Sequence, residues 1–282
     1  MSDFVQQQHT ICNFSNEESW VILSPIEQSI KQKVESVGTP LRDWDIKIYR
    51  GVLTGYNDAF IISTEKRDEI LANCQTEEER LRTAELIRPI LRGRDIKRYG
   101  YDWANLWLIN THNGIKGVKP RIDVNDYPAV KAHLDQYWDK ISKRADKGDT
   151  PYNLRNCAYL DDFLLPKLIY PETTQGAFFA YDETGLFLDK TCFMMISKHA
   201  RYLQATLSSQ LFEFAYKRIF SSIELGQHGF QYNKHALIKL PVKKFNESDS
   251  VAYSDGFFYN CYGITNEEIE YIVGAIQSLQ NQ

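Results

Sequence analysis

Apolar positions along this 282-residue chain change period repeatedly, and each change marks an element. Ile26, Ile30 and Val34 recur at helical spacing behind Pro25, which predicts a leading helix inside 15–35. Residues 46–50 alternate like a strand and run into Gly51-Val52-Leu53-Thr54-Gly55-Tyr56-Asn57, whose glycines and asparagine predict a tight turn. Residues 59–62 read as a returning strand. Thr76 with Glu79 forms a capping box for a helix reaching about Leu91. Residues 105–111 read as a buried strand. Val130, Leu134, Tyr137, Trp138 and Ile141 place one long amphipathic helix over 128–144. A loop follows at 146–153, then short strands at 167–170, 177–181, 186–188 and 192–196, and a second long helix over 199–220. Residues 266–279 close the chain as a helix. Strands and helices intermix without regular alternation, so the pattern predicts an α+β fold on a curved, mixed β-sheet with flanking helices.

Composition changes this picture little, but the placement of charge changes it more. The formal net charge is −4, yet residues 246–282 hold six acids and no Lys or Arg, and residues 1–45 hold seven acids against three bases. Residues 46–245 are left with a local excess of +6, compatible with a phosphate-facing surface between acidic ends. That distribution divides the chain into an N-terminal extension with its helix (1–45), a central body (46–245) and an acidic C-terminal segment (246–282). No window is apolar enough to span a membrane. Five scattered cysteines without a CxxC argue against zinc and against a disulfide framework, and predict a reduced, cytoplasmic protein.

Catalytic signatures are missing. No GxG turn suits a Rossmann-type methyl donor site, no Pro-Pro follows an Asn or Asp to hold an extruded adenine, and no P-loop is present. Asp43-Trp44-Asp45-Ile46-Lys47 and Glu85 with Asp95-Ile96-Lys97 mimic nuclease carboxylate spacing, a coincidence expected with 37 acids. The six histidines form no HxxxH pair.

Two longer stretches carry a resemblance. Tyr49-Arg50-Gly51-Val52-Leu53-Thr54-Gly55-Tyr56-Asn57-Asp58-Ala59-Phe60-Ile61-Ile62 resembles the RGxxTGxNxAFxI signature of the TaqI-like C-terminal specificity domain. Glu85 through Tyr99, with Arg92-Gly93-Arg94-Asp95-Ile96-Lys97-Arg98, resembles that family's second hallmark. Further similar pieces follow in family order: Tyr127-Pro128 to Gly148, Pro166-Lys167-Leu168-Ile169-Tyr170-Pro171, Tyr202 to Phe212, Leu240-Pro241-Val242 and Tyr262 to Ile269. Leu207-Ser208-Ser209 departs from the family's Leu-Asn-Ser. The resemblance spans roughly 15–280 and implies a target-recognition-domain fold of the type IIG restriction-modification kind. It implies a domain reading double-stranded DNA beside an adenine-N6 methyltransferase, with or without a nuclease, in cis or in trans. S-adenosylmethionine and Mg²⁺ are then expected only in those catalytic domains, and no catalytic centre, cofactor or metal site in this chain. The competing expectation is a protein-interaction specificity subunit that docks on a separate methyltransferase, as in type I systems.

The residues themselves leave alternatives open. Arg50, Thr54, Tyr56 and Asn57 on the glycine turn are candidates to hold a phosphate or a base edge, or else Thr54 and Asn57 satisfy their own turn. Arg92, Arg94, Lys97 and Arg98 read as a phosphate clamp, or as cations at a helix end with Asp95 paired to one of them. Lys143 and Arg144 line a backbone channel or are solvated. Lys167 divides evenly between DNA contact and a structural place. Gln227, His228 and Gln231 sit in a glycine-flanked loop suited to specificity, where Tyr232 would stack or wedge.

Overall fold

The computed structural model describes residues 23–221, 224–225, 229–245 and 253–280, which group into two compact units. One contains 47–171 and 179–200; the other contains the described residues of 1–46, 172–178 and 201–282. The described residues of 201–245 thus group with the leading helix rather than with 47–171 and 179–200.

The first unit is a mixed α+β body with several open sheets. Lys47–Arg50 and Lys167–Pro171 flank Cys192–Ile196, and Ala180–Asp182 adds to the outer side of Lys167–Pro171, all antiparallel. Both faces of this sheet are covered: Ile48, Leu168 and Tyr170 on one side and Cys192 and Met194 on the other are buried. A second four-stranded sheet runs Phe187–Leu188, Ile87–Leu91, Leu106–Ile109, Ile61–Ser63, its first pair parallel and the rest antiparallel. The helix opened by Thr76 stops at Leu86, not Leu91. Pro89 cannot donate into a helix and biases Arg88 to extended backbone, so Ile87–Leu91 is a strand. The long helix expected over 128–144 is two pieces, Pro128–Asp135 and Trp138–Ile141. A helix at Thr64–Ala72, capped by the Ser63 hydroxyl, had no strong apolar period to announce it.

In the second unit the Ser24 and Glu27 capping box opens Pro25–Val37, which buries Ile30 and Val34 as its spacing predicts. Lys33 and Ser29 both bond the carboxylate of Glu268, near the start of the helix Asn266–Gln280. The expected helix at 199–220 is interrupted after Ser208, where the Ser209 hydroxyl caps a new segment, Gln210–Ala215, that ends in a π turn, Tyr216–Phe220. Among the described residues no helix is long and apolar enough to cross a membrane.

Candidate nucleic-acid interface

The glycine turn and the arginine-rich bend belong to one unit and dock on the same short connection, Leu188–Cys192. The Gly51 N–H donates to the Cys192 carbonyl at 2.9 Å and Val52 N–H to the Leu188 carbonyl at 2.7 Å. From the other segment, the Gly93 N–H donates to Thr191 Oγ1 at 2.8 Å, and Asp189 N–H donates back to the Leu91 carbonyl at 2.9 Å. A Cβ on Gly51 would run into the Asp189 carbonyl, so glycine is required there by close approach.

This junction gathers exposed cations. Arg50 Nε donates to the Lys190 carbonyl at 2.8 Å, and its guanidinium lies 5.6 Å from the Phe193 ring. Arg94 and Lys97 are exposed, with Lys97 Nζ donating to the Arg94 carbonyl at 3.0 Å. Lys190, exposed on the shared connection, was not among the sequence candidates; the only sequence signal was Asp189-Lys190-Thr191 standing between two apolar runs. Arg98 and Tyr99 form the tip of the small hairpin Ile96–Lys97 with Gly100–Tyr101. Tyr99 is 58% exposed and holds φ of 69°, a backbone an aromatic residue adopts at a cost.

Other candidates are taken up inside the fold. Arg92 makes a two-pronged ion pair with Asp95, Nε to Oδ2 at 3.0 Å and Nη2 to Oδ1 at 2.8 Å. Burial alone would raise the Asp95 carboxyl, but hydrogen bonds from Arg92 outweigh it and hold the group below its usual range. Arg92 is therefore the cation that pairs with Asp95. Lys167 is fully buried, its Nζ bonded to Asp182 Oδ2 at 2.5 Å and the Phe163 carbonyl at 2.6 Å. Lys167 and Asp182 face each other across neighbouring strands, and burial lowers the ammonium's pKa against the pull of Asp182. It cannot reach a duplex.

Arg144 is likewise a structural residue. It is 7% exposed and its guanidinium donates to four carbonyls: Thr54, Asp146 at 2.9 Å, Pro151 at 3.0 Å and Asn153 at 2.5 Å. The Phe60 ring lies 4.4 Å from it, and burial brings its pKa down to about 10. Arg144 thus ties the glycine turn to the loop 146–153. Thr54, also buried, donates its hydroxyl to Asn57 Oδ1 at 2.5 Å, so these two satisfy their own turn. Tyr56 is half-buried and leans on Tyr137, ring centroids 6.1 Å apart; Lys143 is exposed.

The second unit holds the rest. Tyr232 is 1% exposed and stacks on Tyr216 at 4.2 Å, which leaves no wedge. Gln231 is half-buried, with Nε2 3.5 Å from Glu172 Oε1. Gln227 and His228 lie outside the described residues. Among the described residues no cluster of three His, Cys, Asp or Glu is placed to hold a metal ion.

The profile of the TaqI-like C-terminal specificity domain matches residues 88–242, more than half of the chain. The chain belongs to that family. The specificity domain is also 26% identical over 159 residues to the type II methyltransferase M.BanIII of Aneurinibacillus aneurinilyticus, a match covering 55% of this chain and 26% of that protein. The domain thus spans about a quarter of that curated relative's length. In structure it is similar to the type IIL restriction-modification enzyme MmeI, solved in complex with DNA (TM-score 0.56, 12% identity, 86% of this chain and 37% of that one). It is similar too to the type IIG restriction endonuclease BpuSI (TM-score 0.53, 14% identity, 92% and 33%). The α+β class and target-recognition type of fold expected from the sequence are those of these enzymes.

Proposed function

We propose that this specificity domain recognises double-stranded DNA for an adenine-specific methyltransferase of the type IIG kind, and that it holds the duplex at the Leu188–Cys192 junction. The observation that carries this reading is the convergence of Arg50, Lys190, Arg94 and Lys97 on segments that share one connection. Solvated cations on rigid supports neutralise phosphates and fix register, whereas Arg92 and Lys167 have spent their charge internally. Arg50 and Arg94 also have the fork geometry that reads guanine O6 and N7 in the major groove. Methyl transfer, its S-adenosylmethionine and any Mg²⁺-dependent cleavage belong to domains in cis or trans, in the cytoplasm.

Selection from a random duplex pool followed by a salt titration tests this. With about four phosphate contacts, log affinity should fall against log salt with a slope near −3.6. A flat profile between about 50 and 200 mM salt would overturn it and favour docking on a methyltransferase subunit.

A further inference from the structure

Beside the cationic junction lies a cleft of about 330 Å³, formed wholly within the first unit. Its size is at the lower end of small-ligand sites. Val52, Leu53 and Leu154 supply apolar wall, and Tyr159, stacked on Tyr49 at 4.2 Å, donates its hydroxyl to the Arg50 carbonyl at 3.0 Å.

Two polar groups in the wall have an atom to offer a ligand. Asn110 is 8% exposed, and among the described residues its Oδ1 has no hydrogen-bond partner. A buried acceptor is destabilising until a water or a ligand donates to it, and this one faces an open cleft. His112 accepts the Gly114 N–H on Nδ1 at 3.1 Å, and burial holds its pKa below the usual histidine value. The neutral ring therefore carries its proton on Nε2, as a donor. One acceptor and one donor thus share a cleft of mixed polar and apolar wall, with Arg50 and Arg155 also lining it.

Chemistry by side chains is disfavoured in this cleft. Burial pushes the Cys157 thiol up to about 11 and the Tyr159 phenol up to about 12, so neither is a nucleophile at neutral pH. Among the described residues no Asp or Glu lines it. It is built to bind.

We infer that the cleft takes a single nucleotide, its base donating an exocyclic amino hydrogen to Asn110 and accepting from His112, with Arg50 and Arg155 facing the phosphate. Adenine and cytosine present an amino donor next to a ring acceptor on one edge; thymine has no amino group. The nucleotide is either free or swung out of a bound duplex, and only the second source rests on the DNA-recognition reading.

Titrating dAMP, dCMP, dGMP and dTMP by calorimetry tests the site itself. The expected result is dAMP or dCMP binding with a dissociation constant of about 1 mM or tighter, and dTMP more weakly. Asn110→Leu, which removes the amide, and Leu53→Trp, which fills the cleft from a half-buried position, should each weaken binding about tenfold or more. The second variant keeps the test alive if the first does not fold. No binding by any of the four at about ten times that concentration, or binding unmoved by both variants, would overturn the inference. A selected duplex carrying 2-aminopurine assigns the source. Fluorescence that rises on binding and falls back in Leu53→Trp marks an extruded base, and an unchanged signal beside dNMP binding marks a free nucleotide. Intact duplex binding with no dNMP binding removes the cleft inference and leaves DNA recognition standing; the reverse result removes only DNA recognition.

Discussion

Replacing Arg94 and Lys97 together by alanine should lower duplex affinity about a hundredfold at low salt and make the salt slope shallower by about 2. Both side chains are exposed and neither carries a buried ion pair in the structure, so the double variant should keep its thermal stability within about 0.5 kcal/mol. Arg92→Ala supplies the contrast. It strips the partner from Asp95, which is 6% exposed, and should cost about 1–3 kcal/mol of stability while leaving the salt slope unchanged. Fluorescence anisotropy across a salt series, paired with thermal melts, separates the two outcomes. An equal loss of slope in both variants would mean that charge is read from the segment as a whole and not from its solvated members.

Arg144→Met should destabilise the protein by about 3–5 kcal/mol, because the guanidinium is buried and spans four acceptors. Methionine keeps the volume and the contact with Phe60 but removes the donors to the carbonyls of Thr54, Asp146, Pro151 and Asn153. The Asn153 oxygen keeps the Gly148 N–H as a donor, and the other three lose the guanidinium that satisfied them. Arg144→Lys should rescue little, because an ammonium cannot reproduce the planar fork that spans four acceptors. Urea denaturation of the two variants checks this. Loss of under about 1 kcal/mol in Arg144→Met would show that the loop 146–153 is held by its other bonds.

The period of the apolar residues is enough to place several of the longer elements. Lys167–Pro171 and Cys192–Ile196 are legible because buried central strands read as short apolar runs, and Pro25–Val37 because its capping box and its Ile30–Val34 spacing agree. The segment 77–91 reads as one helix because the capping box at Thr76 marks a start and no glycine inside it marks an end, although Pro89 is the available signal to stop. The site was harder to read, since a charge in sequence does not reveal its partner. Lys167 meets Asp182 through strand register, and register is a tertiary property. Arg144 is satisfied by backbone carbonyls, which leave no mark in the sequence at all. Lys190 is hidden for the opposite reason: nothing about a lysine in a three-residue connection separates it from solvated lysines until Gly51 and Gly93 are seen docked on it.

Amide hydrogen exchange of the specificity domain with and without its selected duplex tests the central claim most directly. The account predicts slowed exchange concentrated in 50–57, 92–99 and 188–192, the segments that meet at the cationic junction. Slowed exchange confined to other segments, with these three unchanged at saturating DNA, would contradict it.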